Sequence, residues 1–467
     1  MLGQQGGGWV VRKSEILGTT VIVGASIAGL AAARVLSDFS RHVIVLEKDD
    51  QTDGPRPRRG VPQGRHFHVL LAGGCAALSD VFPGFEDDVI SAGGRLVNPG
   101  LVVRTFQAGS WLPQRDAGLT IFSQTRPLLE YLVRCRLSAL SNIELRAGSS
   151  AVRLIANRSD RISGVRVREA NGPDHEIDAD LVVDAAGRAS QARAWLAELG
   201  FGLPRASIIH VEQRYVSCLF RVPSDYMGEE TIWRVRDTAP STRASVLQPV
   251  EGGHWIAMFA SRFGDYPPLQ VEKLIDYAAS YPQPQIADRL RAATPVRRPA
   301  QYHFPLNVWW HYDELPDLPD GLVPIGDSIM SLNPVYGQGM TSALLQARAL
   351  GAMVKRRASE GTALDGLAGA YLSQIVPLLA HTWRVAALGD FAFAQTTGGR
   401  PPDLEELQRF NSELMALANE DPEVFRLTQR LVHLLDGPEM LVTSGIRERV
   451  LARLGSSRTS ESSARPS

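Results

Sequence analysis

The sequence has little cysteine and no excess of either charge. Cys75, Cys135 and Cys218 are far apart and odd in number, so neither a disulfide framework nor a C-x-x-C metal cage is indicated. Lysine and arginine number 49 against 50 aspartates and glutamates, a formal charge of -1, so we expect no nucleic-acid partner. These shortages favour buried thiols and a small-molecule partner.

The sequence also lacks a hydrophobic run long enough to cross a membrane. Its longest apolar stretch, Val21 to Ala33, is interrupted by Gly24, Ser26 and Gly29, and the Gly-rich N-terminus has no signal-peptide pattern. We therefore expect a cytoplasmic protein without stable membrane insertion. The 467 residues, 44% of them hydrophobic, can fill more than one core, so at least two domains are expected.

The N-terminal region has the pattern of a βαβ unit, with strands predicted at 20–23 and 42–47 around a helix at 27–37. Gly24 permits a tight turn after the first strand, and Gly29 lets helix and strand approach closely. Ser26 replaces the usual second glycine of the fingerprint. Glu47 is placed to accept hydrogen bonds from an adenosine ribose. The pattern predicts a dinucleotide site; the alternative is a glycine turn beside a surface carboxylate.

A second glycine-rich segment, residues 326–341, lies between a predicted strand at 321–325 and a long predicted helix at 339–356. Asp327 can accept a hydrogen bond from a ribityl hydroxyl, and the glycines let the backbone approach a flavin edge. The helix N-terminus would favour the anionic reduced flavin. Because the first motif cannot separate NAD from FAD, this segment is what predicts FAD. Its candidate contacts are Asp327, Pro334, Gly337, Gln338, Gly339 and Met340.

Four segments, in order, resemble the FAD-dependent monooxygenases of the p-hydroxybenzoate hydroxylase fold. They are the Gly24 segment, Ser123–Glu130, Asp180–Arg193 and the Gly326 segment, and they span about residues 20–360. The resemblance implies an α/β fold: a glutathione-reductase-type FAD-binding domain with a Rossmann-like βαβ unit, an inserted antiparallel-sheet substrate domain and a helical C-terminal region. It also implies a flavin-diphosphate contact for Arg126. The remaining cofactor-binding residues assigned outside the Gly326 segment are Gly24, Ser26, Gly29, Glu47, Lys48, Arg65, Val152 and Gly187.

The implied domain organisation is discontinuous. We expect a flexible lead-in at 1–18 and a disordered tail at 456–467. The FAD-binding domain is assigned to 19–75, 115–200 and 300–360, the substrate domain to 76–114 and 201–299, and the helical region to 361–455. Within these segments the pattern predicts a helix at 126–140, strands at 143–154, 162–168 and 176–183, and an antiparallel sheet over 208–263.

A narrower resemblance is to the flavin epoxidases of polyether antibiotic biosynthesis and, more distantly, to squalene epoxidase. It is carried by residues 58–71, 184–190 and 333–341. In such enzymes the loop around Arg65 passes near the flavin, which is why Arg65 is assigned a diphosphate or ribityl contact. The resemblance implies a monooxygenase that inserts one oxygen from O2 through a flavin C4a-hydroperoxide and epoxidises an alkene of a polyketide or other natural-product intermediate. No catalytic side chain is assigned, because the flavin carries the chemistry.

The source of electrons is left open between two routes. In the prototype hydroxylases the third segment reads Asp-Gly, and that Asp helps tie the flavin to NADPH binding, whereas Ala186 stands there in this chain. A second Gly-rich βαβ segment is also absent from the sequence. Electrons are expected from a separate flavin reductase or from NAD(P)H that docks transiently.

Several alternatives remain open at this point. An aromatic hydroxylase of the same fold, a reductase resembling geranylgeranyl reductase and a non-catalytic flavin-binding protein all accommodate the motifs. A flavin halogenase is disfavoured because no Trp-x-Trp-x-Ile-Pro segment appears. We interpret His66 and His68 as structural, and no carboxylate lies at metal-ligand spacing from them, so no metal is expected. Aromatic residues around Trp309 and Trp310 could line a substrate cavity or fill the core.

Overall fold

The computed structural model describes residues 15–50, 53–158, 160–170 and 172–463. Its strands in chain order are β1 (Leu17–Val23), β2 (Ser40–Glu47), β3 (Arg95–Val97), β4 (Val103–Gln107), β5 (Ser110–Trp111), β6 (Ile121–Ser123), β7 (Ile143–Ala147), β8 (Ser149–Arg158), β9 (Arg161–Glu169), β10 (His175–Asp178), β11 (Leu181–Asp184), β12 (Arg205–Arg221), β13 (Ile232–Val235), β14 (Ala244–Val250), β15 (His254–Arg262), β16 (Thr294–Pro295), β17 (Ala300–His311), β18 (Leu322–Pro324), β19 (Met330–Ser331) and β20 (Thr397–Gly398).

The helices of the described residues alternate with strands in the first half of the chain and dominate the second. In chain order they are α1 (Ile27–Ser37), α2 (Ala72–Val81), α3 (Phe85–Ser91), α4 (Pro99–Val102), α5 (Arg126–Ser138), α6 (Ala192–Glu198), α7 (Val271–Ala279), α8 (Gln285–Ala292), α9 (Gly339–Glu360), α10 (Leu367–Asp390), α11 (Leu404–Glu420), α12 (Pro422–Val432), α13 (Met440–Thr443) and α14 (Ile446–Ser463).

A five-stranded parallel sheet forms the first layer, with strand order β18-β11-β1-β2-β7. Its central strands contain short apolar runs, mostly β-branched, and the side chains of residues 20–22 in β1 and 43–46 in β2 are buried, as expected where helices cover both faces. Helix α1 has the predicted bounds, and β2 begins two residues before the predicted start. The predicted α/β fold with a parallel sheet is therefore confirmed.

Two predicted strands are each split in two, because the chain leaves one sheet and enters another. The segment 143–154 is divided at Gly148, whose φ of 66° breaks the extended run, so β7 joins the parallel sheet and β8 begins a three-stranded antiparallel sheet. The segment 176–183 is divided at Asp180, whose carboxylate accepts hydrogen bonds from the backbone N–H groups of Gly18 and Thr19. Strand β11 thereby pairs with β1 in the parallel sheet.

The largest sheet is mainly antiparallel and has the order β19-β17-β12-β15-β14-β13-β4-β5, with β16 and β20 pairing to β12 off this path. Strand β12 pairs along its length with β17, interrupted by a bulge between His210 and Gln213. The segment 300–360 is assigned from the sequence to the FAD-binding domain. Its first part, Ala300–His311, forms β17, which pairs with β12 in the large sheet.

Helix α9 packs against α1, α2 and α10 and joins the parallel-sheet layer to the C-terminal helices. Residues 1–14 of the expected lead-in and 464–467 of the expected tail lie outside the described residues, but β1 already begins at Leu17. Helix α14 continues to Ser463, past the predicted boundary at 455, because its first turns bury Ile446 and Val450 and the helix propagates from there. None of the described helices is long and apolar enough to cross a membrane.

Candidate functional site

A cavity of about 2030 Å³ lies where the carboxyl ends of the parallel strands face the large sheet and the C-terminal helices. Residues after β1, β2 and β11 line one side, and residues of β12 to β15 line another. The carboxyl edge of a parallel sheet is where ligands bind in open α/β folds. Single-ligand pockets typically measure about 300–1,000 Å³. The cavity therefore has room for more than one molecule.

The turn into α1 is built so that backbone N–H groups face this cavity. Gly24 has a φ of 105°, and a Cβ there would lie 2.5 Å from the carbonyl oxygen of Ala185. A Cβ on Gly29 would lie 1.8 Å from the carbonyl oxygen of Gly24. The Ser26 side chain does not cap the helix. The first-turn N–H groups of α1 are therefore available to an anion in the cavity.

The Glu47 carboxylate sits at the end of β2 and is held by a buried arginine. It accepts hydrogen bonds from the backbone N–H groups of Ala25 and Asp49, each at 3.1 Å, and from Nη1 of Arg58 at 2.5 Å. Nη2 of Arg58 also donates to the carbonyl oxygen of Ala25 at 2.9 Å. Sequence reasoning gave Arg58 no role, because no spacing rule links it to Glu47.

Glu130 is the centre of a buried charged cluster beneath the α1 turn. It accepts hydrogen bonds from Nε of Arg126 at 3.0 Å, Nη2 of Arg58 at 3.0 Å and the Ser26 hydroxyl at 2.9 Å. Burial raises the pKa of the Glu130 carboxyl, but the Arg126 and Arg58 charges and the hydrogen bonds outweigh burial and lower it to about 2. Arg126 also donates to Ser26 Oγ at 2.8 Å, so the cluster fixes Arg126 beside the α1 turn.

His66 and His68 both line the cavity and both make the hydrogen bonds expected of structural residues. His68 Nε2 lies 3.2 Å from Nη1 of Arg126, and its Nδ1 lies 3.1 Å from the carbonyl oxygen of His66. Because a guanidinium only donates and a carbonyl only accepts, His68 carries its proton on Nδ1. Burial lowers the pKa of His66 to about 4 and that of His68 to about 3. Both rings are neutral at pH 7.

Two aspartates from distant segments meet at the same side of the cavity. Asp184, at the end of β11, is buried and accepts hydrogen bonds from the Ser190 hydroxyl at 2.5 Å and the backbone N–H of Ala186 at 3.1 Å. The N–H of Gly187 donates to Ser328 Oγ at 2.9 Å, which joins the two segments. The Asp327 carboxylate faces the cavity and makes no hydrogen bond among the described residues, and burial raises its pKa.

Hydrogen bonds to a buried polar cluster hold the loop from Asn333 to Gly337 in place. Asp390, at the end of α10, accepts hydrogen bonds from Arg262 Nη1 at 2.9 Å and from the Tyr336 hydroxyl at 2.7 Å. Asn333 Nδ2 donates to the same carboxylate at 3.2 Å, and the Tyr215 hydroxyl accepts from the Val335 N–H at 2.9 Å. Sequence reasoning missed this cluster, because its members come from four separate segments, namely β12, β15, α10 and the loop itself, and form no motif.

Most of the predicted cofactor-binding residues line the cavity, and three do not. Gly29 is buried against the Gly24 turn. Arg65 is exposed and its carbonyl oxygen accepts a hydrogen bond from Arg297 at 3.2 Å. Val152 is half-buried in β8. The predicted residues that line the cavity are Gly24, Ser26, Glu47, Lys48, Arg126, Gly187, Asp327, Pro334, Gly337, Gln338, Gly339 and Met340.

The aromatic residues of β17 divide between cavity and core. Tyr302 and Phe304 line the cavity. Trp309 is buried with its ring 6.0 Å from that of Trp383, and Trp310 lies 4.3 Å below the Arg193 guanidinium. Both tryptophans therefore serve packing.

One group of residues in the described part of the chain brings metal-ligand atoms together. Atoms of His311, Asp313 and Glu314 lie within 4.8 Å of one another. The Glu314 carboxylate is already paired with the Arg205 guanidinium through two hydrogen bonds of 2.7 Å, and the Ser207 hydroxyl lies 2.8 Å from His311 Nε2. These pairings account for the group without a metal.

Comparison with known proteins gives one relative in sequence and several in structure. No protein-family profile matches the chain. Protein Rv3254 of Mycobacterium tuberculosis (strain ATCC 25618 / H37Rv) is 31% identical over 446 residues, which cover 92% of this chain and 93% of the relative.

Three solved structures illustrate the likeness in fold. The flavin-dependent brominase Bmp2 superimposes with a TM-score of 0.64 at 15% identity, over 89% of this chain and 93% of that one. PqsL of Pseudomonas aeruginosa, described as a probable FAD-dependent monooxygenase, gives a TM-score of 0.61 at 17% identity over 80% of this chain and 97% of that one. 2-methyl-3-hydroxypyridine-5-carboxylic acid oxygenase gives 0.58 at 19% identity over 81% and 91%. The fold is therefore that of the flavin-dependent monooxygenases.

Proposed function

The chain belongs to the same protein family as Rv3254 of Mycobacterium tuberculosis, and from its site we propose that it is an FAD-dependent monooxygenase. The observation that carries the proposal is the single cavity that joins the α1 turn to the segment 334–340 at the start of α9 and to an apolar wall of the large sheet. A dinucleotide and an organic substrate could both be accommodated in it. The flavin-dependent neighbours in fold support the reaction class.

The groups that face the cavity fit FAD. The Asp327 carboxylate is without a hydrogen-bond partner among the described residues and suits a ribityl hydroxyl. The open N–H groups at the start of α1, with Arg126 beside them, suit a diphosphate. Glu47 suits the adenosine ribose. The backbone between Pro334 and Met340, which reaches the N-terminus of α9, would lie against the flavin ring.

Bound FAD, once reduced, supplies the activation of O2. The chain's own residues orient the substrate and keep water out. Apolar side chains of α11 and α12, among them Leu414, Phe425 and Leu431, form part of the cavity wall. The positive end of α9 favours negative charge at its N-terminus. His66 and His68 are neutral at pH 7, so neither ring adds charge to the cavity.

We further propose that reducing equivalents come from a separate flavin reductase or from NAD(P)H that docks transiently. Ala186 supplies no carboxylate next to Gly187, and the described residues form one parallel sheet with a single βαβ unit of the Gly24 type. NADPH consumption by the purified protein, with and without an added flavin reductase, tests the two routes. Rapid turnover by the protein alone would eliminate the separate reductase.

Within this reaction class we propose epoxidation of an alkene in a natural-product intermediate. The segments 58–71 and 333–341, which resemble the polyether epoxidases, both contribute residues to the cavity wall. Epoxidation needs an apolar cavity and no acid–base pair, whereas a phenol hydroxylase would need a base near the phenol. The imidazoles of His66 and His68 face the cavity but are engaged in hydrogen bonds to Ser217 and Arg126. Because neither is free to act as a base, this supports epoxidation.

The test is anaerobic reduction of the FAD-reconstituted protein, followed by 18O2 and a panel of polyenes and phenols. We expect a polyene product that carries one labelled oxygen atom, with none formed from oxidised protein or without O2. A labelled phenol product would replace epoxidation by aromatic hydroxylation. A product with added hydrogen formed without O2 would identify a reductase, and tight FAD binding without any product would contradict catalysis.

A further inference from the structure

At one end of the cavity the wall is formed by β14, β13 and β4, which lie beyond β15 from β12 in the large sheet. Alternate residues of these strands face the cavity. Arg234 pairs in register with Val246 on one side and with Thr105 on the other. Because side chains alternate between the faces of a sheet, Arg234, Thr105, Val246 and Gln248 face the same way. All four line the cavity. Other residues on this face of the three strands are the apolar Val103, Ile232 and Ala244 and the polar Gln107, and these also line the cavity.

Arg234 is a cation without a counter-ion inside the cavity. Its Nε and Nη2 donate to the hydroxyl oxygen of Thr105 at 3.1 and 2.9 Å, and no carboxylate among the described residues pairs with it. Its Nη1 makes no hydrogen bond to a described residue. Burial lowers the pKa of the Arg234 guanidinium to about 9, with a further contribution from Arg236. The guanidinium is still charged at pH 7 and is half-buried, and a partly desolvated charge without a carboxylate partner is stabilised when an anionic ligand pairs with it.

Two further donors near Arg234 have no partner in the described part of the chain. Gln248 Nε2 is buried and makes no hydrogen bond to a described residue, and its register makes it a diagonal neighbour of Arg234, typically about 7–8 Å away. His433 Nδ1 accepts from the N–H of Ala72 at 3.1 Å, so the neutral ring carries its proton on Nε2. Burial and the nearby Arg234 charge lower the pKa of His433 to about 4. The three side chains thus offer hydrogen-bond donors to the cavity.

Hydrophobic side chains line much of the rest of the surrounding cavity wall, together with polar ones such as Asn411 and Gln429. Helices α11 and α12 contribute Leu414, Met415, Leu431 and Val432, and strands β13 and β14 contribute Ile232 and Val246. A ligand that satisfies both parts has an anionic head and a long apolar body. A carboxylate suits the head because its two oxygens match the fork of a guanidinium.

We propose that Arg234, Gln248 and His433 form an anion subsite that binds the carboxylate of an otherwise apolar substrate. The naming of this ligand as the substrate rests on the proposed function, whereas the binding of an apolar carboxylate does not. Held at this end, the apolar chain extends along the cavity toward Phe304 and the segment at 334–340. The carboxylate then sets which carbon of the chain lies at that segment.

The experiment compares decanoate with 1-decanol, which has the same chain without the charge, by calorimetric titration of the full-length protein with and without added FAD. Wild type should bind decanoate about 10- to 100-fold more tightly, the usual effect of hydrogen bonds to a charged group. Arg234→Gln should abolish this preference and leave decanol binding unchanged. Arg104→Gln is the matched control, because Arg104 lies next to Thr105 on β4 but is exposed and outside the cavity. It should keep the preference.

A second variant keeps the test decisive if Arg234→Gln does not fold. Gln248→Leu removes a donor that has no partner, so it should fold normally and weaken decanoate binding about fivefold to tenfold. Equal affinity for decanoate and decanol in wild type, or an intact preference in Arg234→Gln, would overturn the anion subsite. If decanoate binds as expected but no oxygenated product forms in the 18O2 experiment, the subsite stands and the proposed function fails.

Discussion

The hydroxyl of Tyr336 donates a 2.7 Å hydrogen bond to the carboxylate of Asp390, although 54 positions separate the two residues. Asp390 is fully buried and also receives Arg262 Nη1. Tyr336 belongs to the loop that lines the cavity, and Asp390 ends α10. The bond therefore ties the C-terminal helices to the loop that would contact the flavin.

This bond should appear as a coupling energy. Tyr336→Phe and Asp390→Asn should each destabilise the protein, the second by about 3–5 kcal/mol because it leaves Arg262 under-compensated in the interior. In a double-mutant cycle the two substitutions should couple by about 1–3 kcal/mol. Denaturant unfolding followed by tryptophan fluorescence measures this. Tyr226→Phe is the control, since the Tyr226 hydroxyl makes no hydrogen bond among the described residues. Additive effects would contradict the coupling.

Asp327 should matter for the cofactor and not for the fold. Its carboxylate makes no hydrogen bond to the described part of the chain, so Asp327→Asn should leave the unfolding free energy of the apoprotein unchanged or slightly higher. FAD affinity should fall about tenfold or more if the carboxylate binds a ribityl hydroxyl. Fluorescence titration with FAD measures the affinity, and exposed Asp313→Asn should change neither quantity. Unchanged FAD affinity would remove Asp327 from the cofactor site.

Gly337 combines a positive φ with a close neighbour. Its φ is 68°, and a Cβ there would lie 2.7 Å from Cγ1 of Val69. Gly118 has a φ of 65° with no atom within 4 Å of a Cβ, so a substitution there measures the cost of the positive φ without a steric clash. Gly118→Ala should cost about 1–2 kcal/mol of unfolding free energy. Gly337→Ala should cost more and should also weaken FAD binding. Equal losses of stability with unchanged FAD affinity would show that Val69 moves aside freely.

Buried histidines should make the protein acid-sensitive below pH 6.5. Burial lowers the pKa values of His66, His68 and His433 from 6.5 to between about 3 and about 4. Below pH 6.5 the unfolded chain binds protons that the folded chain does not, so stability is present above 6.5 and declines as pH falls toward 4. Over this range each ring lowers the free energy of unfolding by about 1.4 kcal/mol for every pH unit of acidification. The three rings together lower it by about 4 kcal/mol per pH unit.

Denaturant unfolding at several pH values between 7.5 and 4.5 measures this slope. His66→Asn removes one of the three rings and should reduce the slope by about a third. A profile without a decline below pH 6.5, or one that His66→Asn leaves unchanged, would contradict neutral buried histidines.

The elements that could be predicted from the sequence are those with local signals. Helix α1 was predicted at both ends, because Gly24 marks the turn before it and its Ala- and Leu-rich run is continuous. The start of α9 at Gly339 was also predicted. Strands were misread where one apolar run serves two sheets, as at Gly148, since period-2 patterning does not say which neighbour a strand will pair with.

The charged cluster at the α1 turn could not be predicted from the sequence. Glu130 and Arg58 lie 72 positions apart, and their 3.0 Å contact exists only because α5 and the loop after β2 fold against the same turn. Arg65, seven residues further on, was assigned to the cofactor, yet Arg58 is the arginine that reaches Glu47. Both arginines stand in the same polar loop, and nothing local distinguishes them.

By itself the sequence determined the parallel-sheet fold, the two glycine-rich turns and the expectation of FAD, because turn geometry and hydrophobic periodicity act over a few residues. Only the tertiary structure decided that Asp390 supports the loop at Tyr336 and that Arg234 faces the cavity without a carboxylate partner among the described residues. The reason is physical. Pairing and burial of charge depend on which distant segments the packed core brings together, and that is a property of the whole chain.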